Sequence, residues 1–123
     1  RLSTINMQSN SISGTLSSEL GMLKDLVILN IGHNGITGTI PTELYQLKFL
    51  KRLDLVYNKI TGTIPSEIVS LTSIEYLDLG ANDLSDSITT SIGTCTQLKY
   101  LSLSSNKITV TIPREIGSLT SME

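Results

Sequence analysis

Five asparagines, Asn10, Asn34, Asn58, Asn82 and Asn106, stand 24 residues apart without one insertion or deletion between them. Around each lies the frame Leu-x-x-Leu-x-Leu-x-x-Asn. It reads Leu50, Leu53, Leu55, Asn58 in the third copy and Leu26, Leu29, Ile31, Asn34 in the second. The fourth has Ile74, Leu77, Leu79, Asn82, the fifth Leu98, Leu101, Leu103, Asn106, and the first Leu2, Ile5, Met7, Asn10. A sixth copy begins at Met122. This strict period restricts the fold severely. One short unit has no interior of its own, so its apolar residues are buried only where copies stack on one another.

The first half of each copy reads as a strand. Leu53 and Leu55 alternate with Arg52, Asp54 and Val56, the period of two that marks a half-buried strand. Stacked in parallel, such strands form a sheet with about 4.8 Å between neighbours. The asparagines close the turn after each strand. An amide offers two donors and an acceptor, so it serves a turn whose backbone would otherwise be buried unpaired. The spacing therefore predicts a ladder in which each amide bonds backbone groups of its own and the neighbouring copy.

The second half of each copy is less regular. The Thr-Gly-Thr segments are expected to form an irregular second strand on a lateral face. Glycine stands at positions 14, 38 and 62, but Asp86 and Val110 replace it later. Valine resists positive φ, so this position is expected to be extended, with glycine tolerated there. Pro41-Thr-Glu-Leu, Pro65-Ser-Glu-Ile and Pro113-Arg-Glu-Ile follow. Proline at a helix start with glutamate in the first turn suits the positive helix end, which predicts short helical or 3₁₀ turns on the convex side. Glu19, Glu43, Glu67 and Glu115 are then structural and not paired catalytic carboxylates. The fourth copy, Ser87-Ile-Thr-Thr-Ser-Ile, lacks proline and glutamate, and its turn is expected to be the loosest. Phe49 stands where other copies have Asp25, Ser73, Gln97 and Ser121, an exposed aromatic expected beside Tyr45.

The motifs Ile36-Thr-Gly-Thr-Ile-Pro41 and Ile60-Thr-Gly-Thr-Ile-Pro65, followed by Glu43-Leu44 and Glu67-Ile68 and then by Leu47 and Leu71, resemble the plant-type leucine-rich repeat. That repeat occurs in receptor-kinase ectodomains and polygalacturonase-inhibiting proteins. The resemblance covers all 123 residues. It implies an α/β solenoid, a right-handed superhelix with a parallel concave sheet, lateral second strands and short convex turns. It also implies an extracellular or cell-surface location and a protein or peptide ligand.

Bulk properties remove other classes. Net charge is −2 and hydrophobic content 39%, which suggests neither a disordered tail nor a nucleic-acid binder. No apolar run approaches the roughly 18 residues of a membrane helix, and no signal-peptide pattern stands at Arg1. The chain begins and ends inside a repeat without a polar cap, so residues 1–123 are expected to be one array cut from a longer protein, and missing targeting segments carry little weight. Cys95 replaces Leu23, Leu47, Leu71 and Leu119 and reads as a buried apolar residue. No nucleophile–base pair, phosphate-cradling loop or His/Cys metal spacing occurs, so no cofactor, metal or catalysis is expected. Asp54 and Asp78 on neighbouring strands supply too few oxygens for calcium. No Asn-x-Ser/Thr acceptor occurs.

Recognition then falls to the residues between the leucines. Three rows face the concave side: Thr4, Ile28, Arg52, Tyr76, Tyr100; then Asn6, Asn30, Asp54, Asp78, Ser102; then Gln8, Gly32, Val56, Gly80, Ser104. At the strand exits stand Ser9, His33, Tyr57, Ala81 and Ser105. Tyrosine and arginine most often anchor interfaces. Arg52, Tyr57, Tyr76 and Tyr100 are therefore the expected anchors, with Asp54, Asp78 and Lys99 at their edges. The alternative is that Arg52 merely neutralises Asp54 and Asp78 across strands. His33 reads as a solvated turn residue. A different class of function comes from the lateral face. Thr15, Thr37, Thr39, Thr61, Thr63, Thr109 and Thr111, with Ser13, Ser85 and Ser87, recur at the repeat period. A flat grid of hydroxyls and methyls spaced about 6.8 by 4.8 Å would resemble an ice-binding face.

Overall fold

The computed structural model describes residues 1–109 and 111–122. Each copy contributes two short strands and one turn of 3₁₀ helix. The first strands are β1 (Thr4–Asn6), β3 (Ile28–Asn30), β5 (Arg52–Asp54), β7 (Tyr76–Asp78) and β9 (Tyr100–Ser102), adjacent in that order. The second strands are β2 (Ser13–Thr15), β4 (Gly35–Gly38), β6 (Lys59–Gly62), β8 (Asp83–Asp86) and β10 (Lys107–Ile108), which form a second parallel sheet. The 3₁₀ segments are Ser18–Met22, Thr42–Gln46, Ser66–Ser70, Thr90–Thr94 and Arg114–Ser118. No helix among the described residues is long and apolar enough to cross a membrane.

The leucine frame fills the space inside the coils. Leu26, Leu29, Leu50, Leu53, Leu55, Leu77 and Leu98 are completely buried. Each such side chain contributes on the order of 2 kcal/mol from removal of apolar surface from water. In the first sheet Leu29 pairs with Leu53 and Leu53 with Leu77, so equivalent residues lie directly opposite one another. Cys95 is buried in the leucine row, and burial raises its thiol pKa.

The asparagine ladder forms as the spacing predicts. Asn58 Nδ2 donates to the carbonyl of Ile31 in the preceding coil at 3.0 Å and to that of Leu55 in its own at 3.1 Å. Its Oδ1 accepts from the Ile36 N–H of the preceding coil at 2.9 Å. Asn82 repeats the set on Leu55, Leu79 and Ile60, and Asn106 on Leu79, Leu103 and Leu84. Asn34 Oδ1 accepts from Asn10 and Ile12 N–H groups. Three bonds from one buried side chain satisfy groups that no sheet ladder reaches.

One expectation fails in the second half of the copies. The glycine position is not extended. Gly14, Gly38 and Gly62 have φ of +97°, +75° and +88°, and Asp86 adopts +63° at the same place. This left-handed residue turns the chain from the lateral sheet toward the convex side. At Gly62 an added Cβ would also stand 2.9 Å from the Thr39 methyl. Aspartate tolerates this region better than most side chains, which explains Asp86; Val110 lies outside the described residues. The fourth convex turn keeps the common form without proline or glutamate. Thr90–Thr94 is a five-residue 3₁₀ segment like the others, and the Thr89 hydroxyl accepts from Ser91 N–H at 3.3 Å. A hydroxyl cap replaces the proline of Pro41, Pro65 and Pro113, as Ser17 does in the first copy. The turns are 3₁₀ because a coil this short must cross its convex side in few residues, and 3₁₀ rises about 2.0 Å per residue against about 1.5 Å for an α-helix.

Tyr45 does not join Phe49 at the surface. Phe49 is 61% exposed, whereas Tyr45 is 1% exposed with its hydroxyl unpaired. Burial, and secondarily the Glu67 charge, raises the Tyr45 pKa well above its ordinary value. Gly21 occupies the equivalent place in the first copy, where a Cβ would come within 2.6 Å of the Glu43 backbone oxygen. Neighbouring convex turns thus meet closely over glycine.

Asn58→Ala strands one buried N–H and two carbonyls, and should cost about 3 kcal/mol in urea unfolding. Asn10→Ala, at an exposed end, should cost at most about 1 kcal/mol by the same reasoning. Equal and negligible losses at both sites would remove the ladder from the account of stability. Gly62→Ala forces a β-carbon into a left-handed, crowded position and should cost about 2 kcal/mol; an unchanged unfolding midpoint would contradict the reading of that turn.

Candidate functional site

Strand spacing builds the concave surface. Arg52 pairs with Tyr76 and Tyr76 with Tyr100 across the first sheet. In-register parallel strands place equivalent side chains about 4.8 Å apart, close to the separation of stacked rings. Tyr76 and Tyr100 accordingly stack with centroids 4.4 Å apart and planes 6° from parallel. The Arg52 guanidinium lies 3.9 Å above the other face of Tyr76, where the ring quadrupole attracts it. The result is one continuous layer of guanidinium, ring and ring. Burial, then the charges of Asp54 and Asp78, push the Tyr76 pKa up to about 12, so its hydroxyl remains a neutral donor. Tyr100 is 43% exposed.

Asp54 and Asp78 lie beside that layer, two residues further along the strands that carry Arg52 and Tyr76. Both are buried. Asp78 Oδ1 accepts from Gly80 N–H at 2.9 Å, and Asp54 Oδ1 makes a longer contact with Val56 N–H at 3.4 Å. Asn30 makes the same bond to Gly32 at 3.1 Å and Asn6 to Gln8 at 3.4 Å. The row is a set of side-chain caps on the turn after each strand, a habit of aspartate and asparagine. Asp54 also binds Arg52 Nη2 at 2.7 Å. Arg52 therefore neutralises the carboxylate of its own strand, and among the described residues it forms no ion pair with Asp78.

The residue before the first strand carries charge in the last three copies, as Lys51, Glu75 and Lys99. Glu75 binds Lys99 at 2.7 Å and Lys51 at 3.1 Å, and these two bonds hold its carboxyl below the usual range. Lys99, expected at the edge of the anchors, is thus engaged with its neighbouring coil. Such exposed pairs contribute little stability.

The exit residues hold a feature that sequence reasoning missed. Ser9, His33, Tyr57, Ala81 and Ser105 all adopt φ between +50° and +57°. The turn imposes this on residues that seldom adopt it, and the backbone N–H groups of Ser9, His33, Tyr57 and Ala81 are tied to the next coil. His33 N–H bonds Val56 at 2.7 Å and Tyr57 N–H bonds Gly80 at 3.0 Å. The only signal available was repeat position, directly before each ladder asparagine. One consequence is that His33 and Tyr57 stack at 4.6 Å and 22°. His33 is therefore half of an aromatic pair on the rim and not an isolated turn residue. Arg52, Tyr76 and Tyr100 form one wall of the concave face, His33 and Tyr57 line the opposite rim, and the acid row lies between them.

The lateral threonines do not build a flat grid. Thr15, Thr37, Thr39, Thr61, Thr63, Thr109 and Thr111 are all exposed. In this sheet, however, Thr15 pairs with Thr37, Thr37 with Lys59 and Thr61 with Asp83. Equivalent residues are displaced by two positions per coil, which puts them roughly 8 Å apart on a diagonal. The left-handed residue between the paired threonines breaks the strand alternation. The Thr37 hydroxyl also donates to the Gly14 carbonyl at 3.1 Å. Nothing in this face favours ice binding.

Comparison with known proteins places these features. Leucine-rich-repeat family profiles match residues 24–84 and, separately, residues 1–23 and 97–119. No curated protein matches the sequence. Among solved structures, the chain superposes on the plant peptide hormone receptor RGFR1 in complex with RGF2 at a TM-score of 0.97 and 28% identity, covering 99% of this chain and 20% of that one. The ectodomain of the plant membrane receptor kinase GASSHO1/SCHENGEN3 from Arabidopsis thaliana, in complex with CASPARIAN STRIP INTEGRITY FACTOR 2, matches at 0.97 and 32% identity over 99% of this chain and 15% of that one. The ectodomain of the receptor kinase SOBIR1, also from Arabidopsis thaliana, matches at 0.90 and 31% identity over 96% and 65%. The chain spans a fifth or less of the first two relatives. With five stacked coils, an asparagine ladder and a lateral second sheet, this chain belongs to the leucine-rich-repeat family, and its repeat is of the plant type.

Proposed function

We propose that the chain is a recognition module, and that its concave face binds a protein or peptide ligand through Arg52, Tyr57, Tyr76 and Tyr100. The observation that carries this reading is the guanidinium–ring–ring layer at 3.9 and 4.4 Å. Aromatic side chains, and an arginine already held by a carboxylate and a ring, lose little conformational freedom on binding, and these residue types dominate interface energetics. The layer stands on a sheet, so ligand groups would meet a surface already in its bound form. Asp54 holds the Arg52 guanidinium at 2.7 Å, and Asp78 and Lys99 stand at the edges of the layer.

The context supports the same reading. Two solved relatives are receptors recorded with a peptide hormone or an integrity factor bound. By that likeness the chain is part of an extracellular or cell-surface protein, either a receptor-like kinase ectodomain or a secreted enzyme inhibitor. It acts by binding, with catalysis left to other domains or partners. The array of residues 1–123 is then one section of a longer solenoid.

The test is to pan a phage-displayed random peptide library on the immobilised protein and to measure affinities of the selected peptides. Arg52→Ala and Tyr76→Ala should each weaken binding at least ten-fold, about 1.4 kcal/mol, while Thr61→Ala on the lateral face leaves it unchanged. Peptides that bind all variants equally would overturn the concave-face assignment.

A further inference from the structure

We infer that the concave face holds a pocket for a cationic side chain, lysine or arginine, of a peptide ligand, centred on Asp78 above Gly80. The inference rests on the binding face proposed above and specifies one of its contacts.

The repeat itself separates the two tasks of this acidic row. Capping the turn requires only a short acceptor, as Asn30 demonstrates with an amide oxygen 3.1 Å from Gly32 N–H. The charge at Asp54 has a further use, because Arg52 binds it at 2.7 Å. The charge at Asp78 has none. Asp78 is 7% exposed, and among the described residues it forms no ion pair. Its Oδ1 takes the Gly80 N–H, and its Oδ2 has only the Tyr76 hydroxyl at 3.4 Å. A buried carboxylate without a cation is costly unless something pairs with it.

The oxygens beside it suit a donor. A Cβ at Gly80 would lie 3.1 Å from Asp78 Oδ1, 3.0 Å from Ser102 Oγ and 3.3 Å from Ser104 Oγ, so three oxygens converge over a position too crowded for any larger residue. Ser104 is exposed and Ser102 half-buried, which opens the group to the concave surface. The equivalent place at Gly32 is occupied differently, with the Val56 methyl 3.0 Å away. Among the described residues, only the fourth coil thus combines an unneutralised carboxylate with clustered hydroxyl acceptors. An ammonium or guanidinium has several N–H donors and no acceptor, matching this all-oxygen set. The Tyr76–Tyr100 stack stands in the same two coils and offers its apolar rings to the aliphatic stem.

The experiment compares peptides selected from a random library on the wild type, Asp78→Asn and Tyr76→Ala. Asparagine is the residue the fold already uses at this position in the first two copies, so Asp78→Asn keeps the cap and removes the charge. Wild-type selections should be enriched in lysine or arginine at one position, and Asp78→Asn should lose that enrichment and bind the wild-type peptides at least ten-fold more weakly. If Tyr76→Ala abolishes capture while Asp78→Asn leaves both enrichment and affinity unchanged, the binding face stands and the cation pocket is wrong. If neither variant alters capture, both assignments fail. N-acetyl-lysine methylamide, titrated to about 10 mM, a range that detects contacts of a few kcal/mol, supplies a direct readout. It should shift the Gly80, Ser102 and Ser104 amide resonances of the wild type, and its norleucine counterpart should not. Equal responses to both compounds, or none to either, overturn the pocket.

Discussion

The hydrogen bonds of the ladder asparagines are the constraint on which the rest of the molecule depends. Each strand of the concave sheet is three residues long and gives way at once to a turn that lies inside the stack. Backbone groups in such a turn have no water and no sheet partner, and leaving several unpaired in every coil would cost more than the leucines return. Asn58 and Asn82 each satisfy two carbonyls and one N–H, with partners in two coils. The same bonds that close the turn therefore fix the offset between copies at one period. Leucine burial supplies the driving force, but it is not directional; the amides supply the register.

Register in turn makes the surface. With copies held directly opposite one another, the side chains of a row are separated by one strand spacing. Arg52, Tyr76 and Tyr100 then stack face to face with no bond between them that the backbone did not already impose. The lateral sheet follows a different offset, two residues per coil, and its threonines spread along a diagonal. Two faces of one solenoid with similar repeat regularity thus have different capacities. One concentrates aromatic and charged groups, and the other disperses hydroxyls.

Much of this was legible in the amino-acid order because the period repeats the same experiment five times. Leu29, Leu53 and Leu77 declare a buried row, and Asn34, Asn58 and Asn82 declare the ladder, since a solvated asparagine would have no reason to return at fixed spacing. What escaped detection lies where position outweighs residue type. Asp54 and Asp78 look like surface charges until the Asn30 equivalence shows that the row caps a buried turn. Tyr57 and His33 adopt a left-handed backbone that neither residue prefers, because the ladder and the next coil hold the turn. Val110 suggested an extended lateral residue, yet Gly38, Gly62 and Asp86 are left-handed; one atypical side chain outweighed three informative glycines in that inference. The convex turn of the fourth copy shows the reverse, with Thr89 doing by hydroxyl capping what proline does elsewhere.

Native-state amide exchange tests the central claim most directly. The N–H groups of Ile36, Ile60 and Leu84 donate to asparagine side chains of the following coil, at 2.9 Å in each case. If those amides carry the stack, they exchange as slowly as the strand amides of Leu53 and Leu77, within about ten-fold, because all open only when the coils separate. Exchange of these three at the rate of exposed turn amides, with the strand amides still protected, would show that the coils hold together without the ladder and would contradict the account.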